Sequence, residues 1–88
     1  MNEKQIAVKL TDPQWDELTR LAKERQNTYG AGRARVQNNL VSFGFARQID
    51  EKGTEVPFLN SITFLKNYSE FCEITPAGRE KLATRTTR

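Results

Sequence analysis

A chain of 88 residues, 36% hydrophobic and 28% charged, has enough apolar material for one domain with one small core and too much of it for a disordered segment. A single cysteine, Cys72, and the absence of histidine exclude an internal disulfide framework and an ordinary zinc site, and no cofactor-binding pattern stands in their place. The formal net charge is only +3, but it is unevenly spread: Arg25 to Arg47 holds four arginines and no acid, and Lys81 to Arg88 three cations and no acid, whereas acids outnumber bases elsewhere.

In chain order, Gln5 to Leu10 alternates, with Ile6, Val8 and Leu10 on one side and Gln5, Ala7 and Lys9 on the other, which predicts a short half-buried strand. Thr11-Asp12-Pro13-Gln14 is a capping box with proline in the first turn, and Leu10 and Trp15 stand at the positions of a hydrophobic staple. The helix they open is expected to run from Asp12 to Arg25, with Trp15, Leu18, Leu21 and Ala22 toward the core. Gln26 to Gly32 reads as a connector. Its Gly-Ala-Gly lacks the third glycine and the preceding buried strand of a dinucleotide-binding turn, so turn chemistry accounts for it.

Arg33 to Phe43 is expected to form a second main helix. At about 100° per residue Val36, Leu40 and Phe43 share a packing stripe, and Arg35, Asn38 and Ser42 fall on the opposite side with Ala34 and Val41. Gly44 is placed for a residue of positive φ, and Phe45 can fold back on Leu40 as in a Schellman-type cap. Arginine and asparagine carry the forked donors and acceptors that match guanine and adenine edges in the major groove, so this polar face is a candidate for reading duplex DNA. A face that meets only water is the plainer alternative.

Ala46 to Asp50 is expected to extend as a strand, turn through Asp50-Glu51-Lys52-Gly53 and return from Thr54 to Phe58, with Pro57 confining the return to a sheet edge. Residues 59–67 fit a strand through Ile62 and Phe64, or a short helix through Leu59, Ile62 and Leu65; Thr63 and Phe64 favour the strand. Glu70 to Ile74 reads as a strand in which Cys72 is a packed small residue. Thr75-Pro76 then opens a short C-terminal helix to about Thr84, with residues 83–88 fraying into a basic tail. Gly78 costs that helix about 1 kcal/mol relative to alanine, which points to a close approach by a neighbouring backbone.

Two stretches resemble winged-helix DNA-binding regulators of phage or mobile-element type. Leu40-Val41-Ser42-Phe43-Gly44-Phe45-Ala46 is similar to the end of their recognition helix, and Glu73-Ile74-Thr75-Pro76-Ala77-Gly78-Arg79-Glu80-Lys81-Leu82 is similar to the segment that follows their wing strand. The resemblance spans about Leu10 to Leu82. It implies one α+β domain over residues 1–88, a small winged-helix domain with an N-terminal strand, two main helices, a β wing and a short C-terminal helix. It departs from the pattern in two ways: the middle helix is missing or reduced to a turn before Arg33, and residues 54–68 make the wing region longer than usual. Over the first half only, Ile6 to Pro13 and the helices after it also resemble a ribbon-helix-helix repressor, in which Gln5, Ala7 and Lys9 would face the bases.

The functional expectation is a small sequence-specific DNA-binding transcriptional regulator. Arg35, Asn38 and Ser42 are expected at base edges, and Arg33, Arg47, Lys52 and the tail arginines on phosphates. A homodimer is expected on double-stranded DNA. The alternative is a protein-interaction module on a winged-helix scaffold, a phage-type inhibitor or adaptor, with Tyr29, Phe58, Phe64 and Tyr68 at the interface. Without histidine, a phosphate loop or carboxylates paired in an apolar setting, an enzyme is not expected. No stretch approaches about 18 apolar residues and Met1 to Lys4 lacks an apolar leader core, so a cytoplasmic protein without a membrane span is expected.

Overall fold

The computed structural model describes residues 1–27, 31–55 and 71–86. These hold, in order, α1 (Glu3–Ala7), α2 (Asp12–Lys23), β1 (Gln26–Asn27), α3 (Ala31–Ser42), β2 (Ala46–Ile49), β3 (Phe71–Ile74) and α4 (Pro76–Thr86). The described strands form one antiparallel sheet in the order β1-β3-β2, so the domain is α+β.

Helix α2 begins on its expected cap. The Thr11 hydroxyl accepts from the Gln14 amide at 3.4 Å, and the Gln14 side-chain oxygen accepts from the Thr11 amide at 2.9 Å, satisfying two of the donors a helix start leaves open. Leu10 is buried and Trp15 packs against the same core, the two ends of the staple. From α2, Leu18 and Leu21 meet Leu40 of α3 together with Phe45, Ala46 and Cys72. Each fully buried leucine or phenylalanine of this set contributes about 1.5–3 kcal/mol of transfer free energy.

The end of α3 is a complete Schellman motif. Gly44 takes φ of 83°, the Phe45 amide donates to the Leu40 carbonyl at 2.9 Å and the Gly44 amide to Val41 at 3.0 Å. The turn after β2 also follows its composition. Gly53 takes φ of 86°, its amide donates to the Asp50 carbonyl at 3.0 Å, and the Asp50 carboxylate accepts from the amides of Lys52 and Thr54, each at 2.9 Å. Ile49 bridges Glu55 antiparallel, the start of the returning arm. The rest of that arm with Pro57, the strand-or-helix alternative at residues 59–67, and Tyr29, Phe58, Phe64 and Tyr68 lie outside the described residues.

α4 starts on Thr75, whose hydroxyl accepts from the Gly78 amide at 3.1 Å and donates to the Gly44 carbonyl at 2.7 Å. The first turn of α4 therefore lies directly on the cap of α3. A Cβ at Gly78 would stand 2.1 Å from the Phe45 carbonyl oxygen, the close backbone approach that this glycine implies.

Three expectations need correction. Residues 5–10 do not form a strand: Glu3–Ala7 is helical, capped by Asn2 and Gln5 in a reciprocal box, and no described strand pairs with Val8 to Leu10. Alternation over six residues cannot outweigh a capping box together with tertiary contacts, and here the Gln5 side-chain Nε2 donates to the Phe43 carbonyl at 3.0 Å while the Lys81 ammonium donates to the Gln5 and Ile6 carbonyls, each at 3.0 Å. The placement of Gln5, Ala7 and Lys9 on a base-reading strand falls with it. Second, the connector from Gln26 is not all turn, since Gln26 and Asn27 pair with Cys72 and Phe71 and α3 already begins at Ala31. Third, the C-terminal helix reaches Thr86, and the Arg85 guanidinium lies 5.0 Å above the Trp15 ring rather than fraying away.

Candidate nucleic-acid interface

The polar side of α3 is the surface from which the candidate site must be built. Arg35 and Ser42 are seven positions apart, so they lie on one line of the helix, and both are exposed. No ion pair or hydrogen bond to Arg35 is found among the described residues, so its guanidinium is presented to solvent with all its donors. The Ser42 hydroxyl donates back to the Asn39 carbonyl at 2.8 Å and keeps its lone pairs outward.

Three other expected residues are used differently. Asn38 is half-buried and its carboxamide oxygen is out of solvent, which removes the acceptor that an adenine contact requires. Arg33 turns toward α2, where its Nε lies 3.9 Å from the Glu17 carboxylate and its Nη1 donates to the Asn27 side chain at 3.2 Å. Arg47 is opposite Glu73 in the β2–β3 register and is bound to its carboxylate, so its charge is already compensated. Lys52 is exposed in the turn after β2.

Arg25 opens the acid-free run. Its guanidinium stacks 4.2 Å from the centre of the Phe71 ring and its Nη1 reaches the Glu51 carbonyl at 3.5 Å, which sets it beside the turn that carries Lys52. The arrangement is thus two cationic points, Arg35 on the helix and the Arg25–Lys52 pair at the turn. The only available signal for Arg25 was its place in the run.

Behind this surface lies a polar centre that the sequence reading missed. Glu17 is buried between α2 and α3, accepts from Gln37 Nε2 at 2.9 Å, and is paired with Arg20 at 3.2 Å. Gln37, fully buried, gives the same Nε2 to the Asn27 carbonyl of β1 at 2.9 Å. Gln48 is buried on β2 opposite Cys72. The Cys72 thiol is pushed up to about 12, first by burial and then by the nearby carboxylates of Glu17 and Glu73, so it remains protonated. A cleft of about 320 Å³ opens above Glu17 between the helices, with Asp16 against Arg20 and Arg33 at its rim; its charges balance, so it offers no net attraction to an anion.

No helix among the described residues is long and apolar enough to cross a membrane. No protein-family model, curated protein or solved structure matches the chain.

Proposed function

We propose that this chain is a small duplex-DNA-binding protein of the transcription-regulator class, which lays the exposed face of α3 against the bases and the Arg25–Lys52 turn against the backbone. The observation that carries the reading is Arg35, a guanidinium held outward on a capped helix while the neighbouring arginines at positions 33 and 47 are bound to carboxylates. An uncompensated arginine in line with Ser42 is suited to a guanine edge. Without the N-terminal strand that the winged-helix resemblance implies, the order of a helix, a basic helix, an antiparallel strand pair and the Thr75-Pro76 helix still follows that resemblance, which supports the same reading. A two-fold dimer on a palindromic site in the cytoplasm completes it, since a domain of this size gains stability from association.

One observation favours protein docking instead: Ile6, the exposed large hydrophobic of α1, is 61% exposed. The experiment that separates the readings is a titration of random-sequence duplex at low and moderate salt. Binding through about three to five phosphates gives a slope of log K against log salt of about −3 to −5. Folded protein that leaves the duplex free at low salt transfers the case to the protein-docking reading.

A further inference from the structure

The apolar residues of α3 do not point where their own pattern directs them. Val36, Leu40 and Phe43 define its hydrophobic stripe, yet only Leu40 of the three is fully buried, and the fully buried residue beside it is Gln37. Val36 instead faces the cleft between α2 and α3. At about 100° per residue, the buried line through Gln37 and Leu40 is turned by roughly 60° from the line that Val36, Leu40 and Phe43 define. This turn is what brings Arg35 and Ser42 to the crest and sinks Asn38 to half-burial.

Two hydrogen bonds hold the helix at that angle. Gln37 Nε2 is shared between the Glu17 carboxylate of α2 and the Asn27 carbonyl of β1, both at 2.9 Å, so one amide ties α3 to two separate elements. The tie carries a cost, because Gln37 Oε1 is buried with no hydrogen-bond partner among the described residues, a desolvation that an apolar residue would avoid. Buried polar contacts of this kind are best attested where they fix one register among several that hydrophobic packing would accept.

We infer that Gln37 and Glu17 are positioning residues that set the rotation of α3 and thereby select which side chains face DNA. The inference rests on the DNA-binding reading for its purpose, but not for its geometry. Without the tie, the hydrophobic stripe turns inward, Val36 is covered, and Asn38 rises toward the crest.

The test labels single cysteines introduced by V36C and N38C, in the otherwise unchanged chain and in chains that also carry Glu17→Leu with Gln37→Leu. The protonated, buried Cys72 stays silent toward the reagent at about neutral pH. Loss of the tie is expected to slow labelling at position 36 and speed it at position 38, each by about tenfold. Glu17→Gln, which keeps an acceptor for Gln37, is expected to retain the parent pattern. Unchanged labelling in a folded double variant overturns the inference. Should the double variant not fold, Gln37→Met is expected to shift the two rates in the same directions; no shift, or loss of the fold there as well, makes the tie a structural brace and overturns the inference equally. On duplexes selected from a random library by the parent protein, the double variant is expected to lose the preference while keeping its salt-dependent affinity for random duplex. If the parent selects nothing, the DNA reading fails while the labelling still decides the rotation.

Discussion

A methyl group at Gly78 would meet the Phe45 carbonyl oxygen at 2.1 Å and Cγ1 of Ile74 at 2.7 Å, and the first of these is backbone that cannot rotate away. Gly78→Ala is therefore expected to destabilise by about 1–3 kcal/mol in spite of the helix propensity it gains, as measured by denaturant unfolding. Lys81 is a different case. Its ammonium caps the last carbonyls of α1, and it is buried because that helix covers it. Lys81→Met keeps the stem and removes the donors, so amide exchange in residues 3–8 is expected to accelerate strongly, while the main unfolding midpoint moves by less than about 1 kcal/mol. For Cys72 the sign follows from its raised value. The unfolded thiol ionises from 9.0 upward and the folded one only near 12, so the protein holds a proton that the unfolded chain loses, and stability falls as pH rises through that window. Comparing the parent with Cys72→Ala at about pH 8 and about pH 10.5 is expected to reveal an extra loss of about 2 kcal/mol in the parent at the higher pH.

At the scale of elements, the chain is most legible where a residue's chemistry is local. Thr11 with Gln14, Gly44 with Phe45, Asp50 with Gly53 and Thr75 with Pro76 each announce a terminus or a turn through side-chain hydrogen bonds or positive φ, and each is found there. Residues 5–10 were illegible because the determinant is remote: Lys81 caps a helix from about 75 positions away. The rotation of α3 was illegible for a related reason. Periodicity weighs hydrophobicity alone, and it cannot register that Glu17, twenty positions earlier, receives Gln37 inside the core. Leu40 sits on both the predicted and the observed buried lines. Leu40→Ala is accordingly expected to cost about 2–5 kcal/mol in a thermal or denaturant melt, through the cavity it leaves beneath the Schellman cap.

For the whole molecule, charge along the chain identified the acid-free run but not which of its cations are free to act. Folding spends Arg33 on α2 and Arg47 on Glu73, and it leaves Arg35 exposed on α3, with Arg25 and Lys52 at the turn. Those partners come from acids in α2 and β3, so only the tertiary structure could separate the two groups of arginines. The most direct test of this account is one set of duplex titrations, by fluorescence anisotropy at fixed salt, on the parent, Arg35→Ala and Arg47→Ala. Arg35→Ala is expected to leave the melting curve almost unchanged and to weaken a preferred duplex by about 1–3 kcal/mol, whereas Arg47→Ala, already neutralised by Glu73, is expected to change affinity by less than about 0.5 kcal/mol. Equal effects from the two substitutions, or undiminished binding by Arg35→Ala, would contradict the assignment of the α3 crest as the DNA-reading face.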